Sequence, residues 1–157
     1  MTKAIWAPWR LEYVERADEL PGCIFCLAAE EGADEERLVV HRGERAFVLL
    51  NKYPYASGHL LVAPVRHVGE FTELTPAEAA EINELAVEGI RRLREEYAPH
   101  GFNLGWNLGR VAGAGIVEHV HLHVVPRWNG DTNFMPVLGG AKVLPEALAE
   151  THRRLLR

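Results

Sequence analysis

The ten residues from His119 to Trp128 read H-V-H-L-H-V-V-P-R-W. Three histidines fall at alternate positions, with Val120 and Leu122 between them and Val124 after the last. In an extended chain, alternate side chains project to opposite faces. One face therefore carries His119, His121 and His123 in a row, while the other offers apolar side chains to a core. A strand with one buried face ordinarily finishes its open face with assorted polar residues. Imidazole instead suits nucleophilic catalysis, proton transfer or metal binding near neutral pH. The segment points to an enzyme. An H-x-H pair on one strand also suits zinc or copper, so a metal centre made by the triad itself is a rival reading.

A chain of 157 residues fits a single domain and can bury a core without disulfides. Its 17 Lys and Arg stand against 22 Asp and Glu, a formal net charge of −5. That balance argues against a sequence-independent grip on a nucleic-acid polymer. A nucleotide needs only a local cluster of donors and is not excluded. No apolar run approaches the roughly 20 residues of a membrane-spanning helix. The start M-T-K-A-I-W-A-P-W-R lacks the apolar core of a signal peptide, and a cytoplasmic protein without a membrane partner is expected.

Cys23 and Cys26, the two cysteines, form a C-x-x-C just after Pro21-Gly22. In a reducing compartment this spacing suggests a metal or redox site more than a crosslink. A thioredoxin-type motif belongs after a strand and at the start of a helix, whereas an N-terminal turn fits a zinc knuckle better. Structural zinc is usually four-coordinate, so two further ligands would be needed, and the chain holds eight histidines.

Residues 38–50 read as two short strands broken at Arg42-Gly43-Glu44, and residues 58–65 as a third that pairs antiparallel through a longer loop. A long helix follows. Thr75 suits its N-cap, Pro76 its first position, and Glu78 completes a capping box. Ile82, Leu85, Ala86, Ile90 and Leu93 recur at helical spacing up to about Tyr97. Two more strands, F-N-L-G-W-N-L and the triad segment, flank the loop G-R-V-A-G-A-G, and a short helix is expected from Pro145 to Leu156. Strands grouped around one long helix, without βαβ alternation, predict an α+β fold on an antiparallel sheet. The loop from Gly109 to Gly115 is not a dinucleotide fingerprint, because a strand rather than a helix follows it. It is either a flexible connection or, so close to the histidines, a backbone cradle for phosphate through Gly113 and Gly115.

Together these residues resemble the histidine triad family, whose signature His-φ-His-φ-His-φ-φ, with φ apolar, is met from His119 to Val125. The resemblance extends to F-V-L-L-N-K-Y-P-Y-A-S-G-H-L-L-V-A-P-V-R-H (47–67) and P-R-W-N-G-D-T-N-F (126–134), and covers roughly residues 20–140. It is strongest toward the fragile-histidine-triad hydrolases and the bacterial diadenosine tetraphosphate phosphorylases. It implies a single α+β domain over 1–157, typically a homodimer. The activity implied is cleavage of dinucleoside polyphosphates through a nucleotidyl-histidine intermediate, with phosphate or water as acceptor.

The resemblance also implies roles for particular residues. His121 would be the nucleophile, and His123 would contact phosphate oxygens. Asn107 would stabilise developing charge, and His59 would support the triad from the neighbouring strand. Asn51 would contact ribose. Leu49 and Phe25 would line a base pocket, with ordinary core packing as the alternative. In zinc-containing members the ligand positions match Cys23, Cys26, His67 and His119, which implies a structural zinc and no organic cofactor. Two departures stand out. The loop A-G-A-G-I-V-E-H is one residue longer than in the fragile-triad pattern and lacks its Gln, which bears on the acceptor. Arg110 is a candidate phosphate contact there, or a solvated surface residue. Alternatives that remain open are a nucleoside phosphoramidase and a nucleotide-binding module without turnover.

Overall fold

The computed structural model describes residues 22–132 and 145–156. Trp6, Trp9 and the last two residues of the P-R-W-N-G-D-T-N-F segment (126–134) lie outside these residues. Five strands form one antiparallel sheet: β1 (Val39–Arg42), β2 (Ala46–Leu50), β3 (Leu60–Pro64), β4 (Gly101–Trp106) and β5 (Leu122–Arg127). Their spatial order is β1-β2-β3-β5-β4. The expected break between the first two strands is a tight turn in which the Gly43 N–H donates to the Ala46 carbonyl at 2.8 Å.

Helix α2 (Pro76–Tyr97) starts as its sequence predicts. The Glu78 N–H donates to Thr75 Oγ1 at 3.2 Å, and the Thr75 N–H donates back to the Glu78 carboxylate at 2.8 Å. Its buried stripe of Ile82, Leu85, Ala86, Gly89 and Leu93 lies on Val48, Leu50, Leu60, Val62, Leu122 and Val124 of the sheet. Gly89 lets the two layers approach closely, since a Cβ there would sit 2.8 Å from Leu60 Cδ1.

Helix α3 (Leu148–Leu155) starts later than expected. Glu146 instead accepts hydrogen bonds from Tyr97 (2.5 Å), Thr151 (2.7 Å) and Arg154 (3.0 Å), which ties the segment before α3 to the end of α2. The other sheet face is covered by a short helix, α1 (Ile24–Ala29), that the sequence pattern did not predict. Its Phe25 and Ala28 pack on Val39, Phe47, Leu49, Leu61 and Ala63. Arg42 fastens it by donating to the carbonyls of Ala28 (2.8 Å) and Ala29 (2.9 Å).

One expectation needs correction. The triad segment is not one continuous strand: β5 starts at Leu122, so His119 and His121 precede it. The ladder with β3 runs only through Val62↔Leu122. Beyond it the partner strand ends at Pro64, which has no N–H to donate. The carbonyl of Pro64 instead accepts from the His119 ring, and the Val120 N–H donates to Val68.

Candidate active site

Despite that break, the three imidazoles remain in a row on the face that α1 covers. His121 and His123 have ring centroids 4.9 Å apart, and Phe25 lies 5.1 Å from His119 and 4.6 Å from His121. The register sets their surroundings. Leu49 pairs with Leu61, Leu61 with His123, and His123 with Gly105, so one row crosses the sheet from the apolar floor to the open edge strand.

The hydrogen bonds assign the tautomers. The His121 Nδ1 lies 2.9 Å from the carbonyl of His119, which can only accept. Nδ1 therefore carries the proton and Nε2 carries the lone pair. Burial lowers the pKa of His121 and favours this neutral form. His59, wholly buried, accepts the Tyr55 N–H at Nδ1 (3.1 Å), so its own proton is on Nε2. That Nε2–H lies 3.0 Å from His123 Nδ1 and donates to it. Neutral His123 is thereby protonated at Nε2, a hydrogen-bond donor. Two neighbouring histidines thus present opposite faces, a nucleophilic nitrogen on His121 and a donor on His123. The Tyr55 ring stacks on His59 at 4.9 Å, a contact with no signal in the sequence.

Asn107 lines a cavity of about 390 Å³ together with His123, Gly105, Asn103 and Arg127. Its amide lies 3.4 Å from the Gly113 carbonyl. Asn51 is engaged locally: its Oδ1 accepts the Tyr53 N–H at 2.9 Å and its Nδ2 lies 3.4 Å from His59 Nδ1. Leu49 is buried in the cluster with Phe25. In the glycine loop, Gly113 adopts φ +91°, but its N–H donates to Arg110 at 2.9 Å within the loop. A short 3₁₀ turn (Arg110–Ala112) occupies the loop, and no helix follows it to meet a phosphate.

Cys23, Cys26, His67 and His119 converge, with all four ligand atoms within 4.8 Å of one another. Cys23 is the N-cap of α1 and Cys26 lies inside it, so the motif sits at a helix start rather than in a plain turn. The Cys23 and Cys26 sulfurs lie 3.4 and 3.7 Å from His119 Nδ1, and Cys26 lies 3.2 Å from His67 Nδ1. A tetrahedral zinc with bonds of about 2.3 Å to sulfur and about 2.0 Å to nitrogen separates such donors by roughly 3.5 Å. The donor set fits. The Pro64 carbonyl, 2.8 Å from His119 Nε2, accepts its N–H, which keeps the proton on Nε2 and leaves the Nδ1 lone pair for the metal. Burial holds His119 neutral, with its pKa lowered to about 4. Burial, with the neighbouring Cys23, pushes the Cys26 thiol up to about 11. A divalent cation reverses that cost by favouring the thiolate.

A sheet of this order, with a histidine row on one face and one long helix on the other, defines a class of proteins, and known members of that class resemble this chain in sequence and in fold. The HIT domain model matches residues 33–130, and the chain belongs to the HIT family. It is 43% identical over 159 residues to the AP-4-A phosphorylase of Mycobacterium tuberculosis H37Rv, covering 96% of this chain and 81% of that one. A Zn-bound histidine triad family protein from Mycobacterium smegmatis superposes with TM-score 0.67 at 27% identity, over 86% of this chain and 91% of that one. The fold also extends to the Plasmodium falciparum diadenosine triphosphate hydrolase, solved with cyclomarin A (TM-score 0.60, 19% identity, 76% and 72% covered). Among the described residues, no helix is long and apolar enough to cross a membrane.

Proposed function

We propose that this protein cleaves dinucleoside polyphosphates such as diadenosine tetraphosphate by nucleotidyl transfer through His121. The observation that carries the reading is the fixed tautomer of His121, which keeps the lone pair on Nε2. In the first step Nε2 attacks the α-phosphorus, an N–P bond forms, and the P–O bond to the bridging oxygen breaks. The electron pair leaves on that oxygen as nucleoside triphosphate. In the second step an acceptor oxygen attacks the same phosphorus and the pair of the N–P bond returns to Nε2. Splitting one displacement in two lowers each barrier.

His123 Nε2–H and the Asn107 amide stabilise the charge that develops on the phosphoryl oxygens. His59 is a positioning residue that fixes the tautomer of His123. Asn51 steadies His59 and contacts the ribose at its rim, while Leu49 and Phe25 form the apolar floor for the base. The loop at Gly113 and Gly115 borders the phosphates and governs entry of the acceptor. Cys23, Cys26, His67 and His119 hold a structural zinc that pins α1 to the sheet and supplies no chemistry to the reaction. The whole chain acts as one domain, in the cytoplasm and as a homodimer.

The 43% identity to a phosphorylase supports phosphate as acceptor. The test is a product assay on diadenosine tetraphosphate with and without inorganic phosphate. ADP and ATP formed only with phosphate establish a phosphorylase, and AMP and ATP in both conditions establish a hydrolase. No turnover by folded protein overturns the reading.

A further inference from the structure

The cavity beside His123 continues along the sheet, away from His121, to a group of side chains that the reaction described above does not use. His123, Val125 and Arg127 occupy alternate positions of β5, and Asn103 of β4 stands opposite Val125. Arg127 is gripped by Asp131 through two hydrogen bonds, Nε to Oδ2 at 2.6 Å and Nη2 to Oδ1 at 2.9 Å. Its Nη1 donates to Asn103 Oδ1 at 2.8 Å. A guanidinium can only donate, so this bond orients the amide: Oδ1 faces Arg127 and the Nδ2 hydrogens are left to the cavity. Asn103, Arg127 and Asp131 all line that cavity together with His123 and Asn107.

An in-line displacement sends its leaving group out on the side of phosphorus opposite the nucleophile. The nucleophile, His121, lies on one side of His123, and this channel lies on the other. Gly105, level with His123, has nothing within 4 Å of where a Cβ would be, so the way along β4 is open. We propose that Asn103, oriented by Arg127, is the subsite for the departing polyphosphate chain and sets the preferred chain length. The proposal rests on the dinucleoside polyphosphate reading. Four residues of strand, about 13 Å, separate His123 from Arg127. A tetraphosphate reaches further into this interval than a triphosphate. Asp131 balances the charge of Arg127, so the subsite offers neutral amide donors in place of a bare cation. It can therefore release a highly charged product.

The experiment compares kcat/KM for diadenosine triphosphate and tetraphosphate in the wild type, N103A and N103D. N103D keeps an acceptor for Arg127 and so preserves the fold, but it replaces the cavity-facing donor with an anion. The tetraphosphate-to-triphosphate ratio is expected to fall about tenfold in N103D, the effect of one charge-assisted hydrogen bond. It should fall less in N103A, with the loss mainly in KM. Thermal midpoints within a few degrees of wild type verify folding. Equal losses on both substrates, or none, overturn the subsite while leaving the substrate reading intact. If wild type turns over neither substrate, the substrate reading fails, and the subsite with it.

Discussion

At the scale of single residues, the site depends on two hydrogen bonds that set opposite tautomers on adjacent imidazoles. The His119 carbonyl holds the proton on His121 Nδ1, and the His59 Nε2–H donates a hydrogen bond to His123 Nδ1, which leaves the proton of His123 on Nε2. Replacing the nucleophile and replacing its neighbour's support should therefore fail differently. H121A is expected to lose at least about 10⁴-fold in kcat, as removal of a nucleophile does elsewhere, while still binding nucleotide. H59A leaves the nucleophile intact but frees the tautomer of His123, and a loss of about 10²-fold is expected. Single-turnover assays paired with calorimetric titration of a non-hydrolysable nucleotide separate the two. H121A retaining more than a hundredth of wild-type kcat would remove the nucleophile assignment. The histidine row was legible from alternation alone, because period 2 needs only local chain geometry. The relay was not: His59 and His123 are 64 residues apart, and only the β3–β5 register makes them neighbours.

Among the elements, α2 is legible in the sequence because its capping box and its apolar spacing are local signals, whereas α1 has neither. Six residues that span fewer than two turns carry too little periodicity, and what holds α1 is distant: Arg42 and the Cys/His cluster. Metal removal should therefore release α1. Elemental analysis is expected to find one zinc per chain, and C26S to lack it. Loss of that anchor should cost on the order of 3 kcal/mol, a fall of roughly 10 °C in thermal midpoint for a domain of this size. A metal-free protein that melts with the wild type contradicts the assignment.

The start of α2 makes a different prediction. Arg66, at 2.8 Å, and Thr75 hold the Glu78 carboxyl down at about 2, against an ordinary value of 4.5. A depressed carboxylate stabilises the fold fully above the unfolded-state value and loses that contribution as pH falls from about 4.5 toward 2. Because Arg66 is half exposed, solvent screening reduces the gain to about 1–2 kcal/mol. The urea stability gap between wild type and E78Q should be of that size at pH 6 and narrow steadily below about pH 4.5. A gap that does not change with pH would assign the loss to packing.

At the scale of the whole molecule, the two edges of the sheet are finished in opposite ways. At the β1 edge, His152 of α3 donates to the Val39 carbonyl at 2.7 Å and Leu155 enters the core, so a helix covers the strand. At the other edge lies β4, with Leu104 50% exposed and Leu108 just beyond it 51% exposed. Phe71 packs edge-on against Trp106 at 5.1 Å and extends the same apolar surface. An open strand edge with apolar side chains is a template for pairing with another chain. A soluble protein tolerates it when a second copy covers it, because an antiparallel pair of β4 strands continues the sheet and buries both patches by two-fold symmetry. The homodimer proposed above is therefore expected to close through β4. Light scattering should give twice the chain mass for wild type and one chain mass for L104K, which places a charge in the middle of the patch. Because Leu104 faces the helix side of the sheet and His123 the other, the monomeric variant should keep its nucleotide-binding face. Its turnover then reports whether one copy suffices for the chemistry. A dimeric L104K would move the interface elsewhere and leave the apolar edge to another partner.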